Sequence, residues 1–408
     1  MRNRDIETLR KLAMQVREIA MDPVMEERRL LWESHHAFEK NRPPLYIRDG
    51  GWSQETILPE CVCEDDFFRE IEFYLRKMIF QFELGDDYVI EPWVSIRAEY
   101  LLPEKGAWGV MHGIMDTGFY HGARKYTAPI TDLDNLGELV VPKHRIDLEK
   151  TKLKHERLSD AIGDILTVDL DRSPHWWNWE ADISTRLGYL RGLEQIMWDI
   201  HDNPEGFHRL LSFMSKGILK AQQEAEDAGD IGLTSGNNQS MPYARDLPRP
   251  KPHTPCKRKD LWCFSAAQEF NLVSPADHET FMLDYQKPII EAFGASSYGC
   301  CEDLSNKMGM LRRMKNLRRI AVSPFSPVAK MAGEIGTEYI ASYRPDPART
   351  VCVSFDKEQT IRILQEAKHA FEANGCLYDI CLKDVHTVGN DKGRLKAFVE
   401  TVKSVVGG

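Results

Sequence analysis

Apolar residues recur at two periods along this chain, and the switching between them predicts its elements. Leu9, Leu12, Ala13, Val16 and Ile19 fall on one face of an N-terminal helix. Asn41-Arg42-Pro43-Pro44 ends that pattern, and Leu45-Tyr46-Ile47-Arg48 predicts a short strand closed by Asp49-Gly50-Gly51. Phe67, Ile71, Tyr74, Leu75 and Met78 mark the next helix, and strand-like runs follow at 88–96 and 165–170. The clearest helix runs over 203–229. Asn203 caps it, Pro204 suits its first turn, Phe207, Leu210, Leu211, Met214 and Ile218 share one face, and Gly229 stops it. A further strand end is expected at 231–236. The last third repeats one unit: strands at 296–301, 318–322, 339–342 and 377–382 alternate with helical patterns, and a final helix carries Leu395, Phe398, Val399 and Val402.

Strands alternating with amphipathic helices predict an α/β fold with a parallel sheet and right-handed crossovers. No Gly-rich dinucleotide fingerprint follows the first strand, and no Gly-Lys-Thr phosphate cradle occurs. A closed (β/α)8 TIM barrel is therefore expected over a doubly wound sheet. Its expected organisation is one domain over 1–408, with residues 1–40 as an N-terminal helical extension.

Composition narrows the function classes. With 408 residues, 42% of them hydrophobic, the chain can bury a large core. A formal net charge of -10 argues against a phosphate-backbone binder. The one basic cluster, 245–259, is broken by prolines and reads as a surface loop that an acidic partner would suit. No leader pattern and no run of about 18 apolar residues appears, so a cytoplasmic protein is expected. Nine cysteines without framework spacing read as thiols.

In a barrel, chemistry sits where strands end. Tyr298-Gly299-Cys300-Cys301-Glu302-Asp303 is such an end. Alternation along a regular strand puts Gly299, Cys301 and Asp303 on one face and Cys300 and Glu302 on the other. At most one thiol, Cys301, is then expected in the mouth. Two buried thiols beside a capping acid is one reading, and a zinc thiolate with ligands from separate strands is the other. Glu269 and His386 are the candidate co-ligands, with Asp384 two residues before His386 and facing the same way if the strand continues. Alternatively, His386 is a loop histidine and Glu269 pairs with an arginine. His112, His121 and Trp176 lie in aromatic stretches that suit a pocket for a flat apolar ligand, or else a packing cluster or subunit interface.

Taken together these residues resemble the uroporphyrinogen decarboxylase superfamily. The likeness runs from Arg42-Pro43-Pro44-Leu45-Tyr46 through Tyr189-Leu190-Arg191-Gly192-Leu193-Glu194 and Asp202-Asn203-Pro204-Glu205 to Arg394-Leu395-Lys396-Ala397-Phe398-Val399. Ala267-Gln268-Glu269, Ser274-Pro275, Tyr298-Gly299-Cys300-Cys301-Glu302 and Lys383-Asp384-Val385-His386 are similar to the corrinoid-dependent methyltransferases, above all the component that demethylates aryl methyl ethers. The decarboxylase fits less well, because Arg48-Asp49-Gly50-Gly51-Trp52 stands where it carries arginines and a Gly-Arg-Tyr for its substrate's carboxylates.

The resemblance implies methyl transfer from a methoxylated aromatic compound to the cob(I)alamin of a partner corrinoid protein, assisted by zinc. Cys301 and Glu269 would be catalytic; Glu269, Cys301 and His386 would be the metal ligands, with Asp384 and Cys300 as substitutes. His112, His121 and Trp176 would bind substrate. Cys301 matches a zinc-binding cysteine, whereas Gly299 stands where the resembled proteins carry a histidine ligand. A decarboxylase, a methyltransferase for methanol, thiols or amines, and a non-catalytic barrel holding a corrinoid or porphyrin are the alternatives. A homodimer is a further expectation; no nucleic-acid or membrane partner is expected.

Overall fold

The computed structural model describes residues 2–115, 125–176, 179 and 181–407. Ten strands are formed among them: β1 (Leu45–Asp49), β2 (Trp93–Arg97), β3 (Gly113–Met115), β4 (Lys125–Thr127), β5 (Thr167–Asp171), β6 (Trp262–Ser265), β7 (Ala295–Tyr298), β8 (Leu317–Val322), β9 (Ile340–Tyr343) and β10 (Leu377–Val385). Six of them make one parallel sheet in the order β1-β10-β9-β8-β7-β6, and β2 pairs in parallel with β5. The arrangement is a curled, TIM-like α/β architecture, but among the described residues its ladder does not close into the full (β/α)8 barrel expected.

Side chains stand in where the ladder is interrupted. On one side of β1, Asp87 accepts from Leu45 N, Asp86 accepts from Ile47 N, and Gln81 donates to Ile47 O, so carboxylates and an amide satisfy the strand edge that is not paired with β10. Between β5 and β6, Asp169 accepts from Thr234 Oγ1, Asp171 accepts from Ser235 Oγ, and Asn237 N donates to Trp262 O. The segment after residue 231, expected to end a strand, is thus a turn-rich wedge held by side-chain hydrogen bonds. Within the aromatic stretch that carries His112, Gly113–Met115 and Lys125–Thr127 form the short antiparallel pair β3–β4.

The long helix Pro204–Asp227 starts and buries itself as its sequence predicts. Asn203 accepts from Gly206 N, and Phe207, Leu210, Leu211, Met214 and Ile218 are fully buried. Each such side chain is worth roughly 1.5–3 kcal/mol of burial. They belong to a large core that packs helices against the six-stranded sheet. A second core joins the helices Arg2–Ala20, Pro23–His36, Asp66–Leu84 and Leu148–Ile162 to β2 and β5. The N-terminal extension therefore forms part of the support for that strand pair.

The proline-rich loop at 242–255 is tied down at the end opposite the thiols. Arg249 pairs with Glu26 and Glu33, Arg245 with Glu39, and Asp246 with Arg318 near the start of β8. Its arginines are engaged by acids of this chain. No helix among the described residues is long and apolar enough to cross a membrane.

Candidate functional site

The strand carrying the two cysteines stops sooner than alternation assumes. β7 ends at Tyr298, and Gly299 takes a φ of +102°, a conformation that side chains other than hydrogen rarely adopt. A Cβ there would come within 2.7 Å of Leu304 Cδ1 and 3.0 Å of Ala321 Cβ. The histidine of the resembled zinc set thus has no room. The turn also corrects the expectation of a single thiol in the mouth: Cys300 Sγ and Cys301 Sγ lie 3.7 Å apart, and both line one cavity of about 430 Å³.

Across that cavity, β10 delivers two charged residues through a bulge. Its pairing with β1 shifts between Ile47 and Asp49, and Asp384 has a φ of +58°. Gly50 makes the crossing possible, since a Cβ on it would lie 2.6 Å from Val385 N. Lys383, which is buried, reaches Cys300 Sγ at 2.9 Å and Asp384 Oδ2 at 3.1 Å. Cys301 Sγ approaches the same Asp384 oxygen at 3.7 Å. Arg344, beyond β9, donates through Nη1 to Cys300 O at 2.7 Å.

These contacts divide the two thiols electrostatically. Donation from Cys301, together with the positive charges of Lys383 and Arg344, pulls Cys300 down to about 6 against the opposing effect of burial. The same hydrogen bond and burial push Cys301 well above the usual thiol range. Cys300 is therefore the thiolate of the pair near neutral pH and Cys301 its donor.

Glu269 lies on a neighbouring cavity that shares Gln268, Cys301 and Phe325 with the first. Among the described residues it pairs with no arginine; it accepts from Ser184 Oγ at 2.5 Å and Thr185 Oγ1 at 3.0 Å. Ser184 Oγ is also 3.1 Å from Asp182, whose carboxyl is pushed up to about 7 by burial and by Glu269. A hydroxyl has one proton to share between these two acids, so a protonated Asp182 fits the geometry. Ser184 and Thr185 open the helix Ile183–Arg191, which also makes the contacts of two aromatic clusters. Its Arg186 sits 4.3 Å over the Trp176 ring, and its Tyr189 stacks on His112 at 4.9 Å and meets Tyr126 at 4.7 Å.

Of the residues expected from sequence, Cys301, Glu269 and His386 thus line adjoining cavities, with Asp384 and Cys300 beside them. His112 and Trp176 each join an aromatic cluster. Trp176 is exposed and Trp179 is buried. His121 lies outside the described residues. Sequence reasoning gave no individual role to Lys383, Arg344, Asp182, Arg186 or Tyr189, although Lys383 and Tyr189 lie in stretches that carry the resemblance. Lys383 had one available signal: it sits beside Asp384 at a predicted strand end.

Zinc is the metal that the resemblance implies. Among the described residues, no group of three or more His, Cys, Asp or Glu side chains is placed to hold a metal ion. Both oxygens of Glu269 are engaged by hydroxyls, and the cation found between Cys300 and Asp384 is the lysine ammonium. As arranged, these donors do not fit a zinc ion.

No family model matches the chain, and no curated protein matches it. Among solved structures, its fold is similar to that of a methyltransferase from Methanosarcina mazei, with a TM-score of 0.51 and 13% identity over 92% of this chain and 97% of that one.

Proposed function

We propose that this chain is a methyltransferase that moves a methyl group from a methoxylated aromatic compound to the cob(I)alamin of a corrinoid protein, working in a curled barrel whose mouth is the thiol cavity. The observation that carries the reading is Lys383, a buried cation held between Cys300 and Asp384 on the floor of that cavity. Similarity of fold to a protein described as a methyltransferase supports it.

The chemistry asks for a cation at this point. As the methyl carbon leaves, the bonding pair stays on the ring oxygen, while the new bond forms from the pair on cobalt(I). A phenol-like oxygen has a pKa near 10, taking tyrosine as the reference, and leaves poorly as a bare anion. Positive charge fixed in a partly dry site stabilises that anion without reorganisation. An ammonium has three N–H donors. Cys300 and Asp384 engage two of those on Lys383, which leaves one for the ether oxygen. The ring would lie against the aromatic side chains carried or stacked by Ile183–Arg191.

Zinc is a further proposal of the resemblance. Such an ion would have to displace the Lys383 ammonium and draw Glu269 and His386 toward Cys301, and no step here depends on it.

The test is anaerobic incubation with a reduced corrinoid protein and a panel of methoxylated aromatics, methanol, thiols and methylated amines, following the loss of cob(I)alamin absorbance. Turnover confined to the methoxylated aromatics is expected. Turnover with the amines or thiols alone would overturn the assignment of the donor.

A further inference from the structure

Lys383 Nζ lies 2.9 Å from Cys300 Sγ, although the two residues stand 83 positions apart in the chain. One follows the end of β7 and the other belongs to β10. Cys301 Sγ is 3.7 Å from the same sulfur. Both thiols and Lys383 line the cavity of about 430 Å³, so a small solute entering it meets all three together.

A thiolate held beside an ammonium is a nucleophile toward the O–O bond of a peroxide. Sulfur oxidised in this way to a sulfenic acid condenses with a neighbouring thiol or nitrogen. Cys300 has one neighbour of each kind, and they differ in their freedom to move. Bonding to Cys301 would draw the two sulfurs from 3.7 Å to the much shorter disulfide distance by moving the backbone that joins the residues. That backbone is pinned on both sides of Cys300. Cys300 N donates to Glu302 Oε2 at 2.7 Å, and Cys300 O accepts from Arg344 Nη1 at 2.7 Å. Glu302 and Arg344 are both buried, and Glu302 Oε1 is further held by Ala267 N. Lys383 starts nearer to the sulfur and moves on a flexible four-carbon stem.

We propose that Cys300 and Lys383 form a covalent sulfur–nitrogen cross-link when the cavity meets hydrogen peroxide. The Cys300 thiolate attacks one peroxide oxygen, the O–O bond breaks, and the sulfenic acid forms as hydroxide departs. Hydroxide takes a proton from the Lys383 ammonium and becomes water. The freed amine pair then attacks sulfur, the S–O bond breaks, and the leaving oxygen takes a proton from nitrogen to give a second water. Sulfur has lost two electrons and the peroxide has gained them. The product carries neither the thiolate nor the ammonium, so the cavity loses both charges at once. A dithiol reductant attacks the sulfur, releases the amine and restores the site. The cross-link depends on these two side chains and not on which substrate the cavity takes.

Mass spectrometry of the full chain after brief exposure to hydrogen peroxide, followed by proteolysis and peptide mapping, tests this. A loss of two hydrogens is expected, with the Cys300 peptide joined to the Lys383 peptide, and dithiothreitol should reverse both. Cys301→Ser should keep the cross-link, whereas Cys300→Ser and Lys383→Met should lack it; circular dichroism reports whether each variant is folded. A Cys300–Cys301 disulfide as the main product, or a cross-link that disappears in folded Cys301→Ser, overturns the proposal. Sulfinic acid as the first product of the parent does the same, as does a parent chain left unmodified by peroxide that oxidises free cysteine. A Cys300–Lys383 link that carries an added oxygen overturns the direct sulfur–nitrogen bond.

Discussion

Two charged clusters on the same strands have opposite characters. In the sheet interior, Arg319 of β8 donates through Nε and Nη2 to Asp379 of β10 at 3.0 and 2.7 Å, through Nη2 to Ser342 of β9 at 2.7 Å, and through Nη1 to Asn238 O at 2.7 Å. Every nitrogen of that guanidinium has a partner, and both charged residues are buried. Four residues further along β10, Lys383 meets a thiol and a carboxylate and keeps a donor to spare, in a cavity open to ligand. A saturated buried pair fixes strands to one another. An unsaturated one beside a cavity leaves something for a substrate to complete.

The strongest way to break that contrast is to remove one partner of the saturated pair. Asp379→Ala would leave Arg319 buried and uncompensated, and a loss of about 3–5 kcal/mol of stability is expected. Thermal or denaturant unfolding measures it. Although burial opposes ionisation, Arg319 and His35 hold the Asp379 carboxyl well below the usual carboxylate range. Its contribution is therefore fully present above the unfolded value near 4 and is lost as pH falls through the lower folded value.

At the mouth the expected effect is on rate rather than on folding. Lys383→Met should lower kcat by about 10²-fold and leave the unfolding transition close to that of the parent. Under the proposed function, a parent protein that keeps its turnover in chelator would support the lysine as the working cation. Turnover lost in chelator and restored by zinc would transfer that role to a metal.

A smaller effect separates the two thiols. Alkylation by iodoacetamide should occur at Cys300 first, with a rate that rises through a midpoint of about 6. Cys300→Ser should abolish this phase, and peptide mapping identifies the residue. The sign on stability follows from the same shift. A thiol whose folded value lies below its unfolded value near 8.5 stabilises the fold above that pH, and the contribution disappears as pH falls through about 6. Reaction first at Cys301 would reverse the assignment of thiolate and donor.

Much of the fold could be read along the chain because the signals were local. The helix Pro204–Asp227 carries its own cap and a stripe of apolar residues at helical spacing. The strands β1, β8, β9 and β10 are apolar runs bounded by turn residues. The open places in the ladder could not be read this way. They depend on Asp86, Asp87 and Asp169 reaching backbone or side-chain donors that are distant in sequence. Likewise, strand alternation assigned Cys300 and Cys301 to opposite faces because it assumed a continuous strand, which the left-handed Gly299 ends.

By itself, the sequence determined the alternation of strands and helices and the location of a cysteine-bearing strand end at Cys300 and Cys301, since both follow from period and composition within short windows. Only the tertiary structure decided that both thiols share one cavity, that Lys383 brings a cation to them, and that Ser184 and Thr185 engage Glu269. Those outcomes rest on a positive φ, a β-bulge and contacts between residues about 83 to 85 positions apart in the chain, none of which leaves a periodic trace in the sequence.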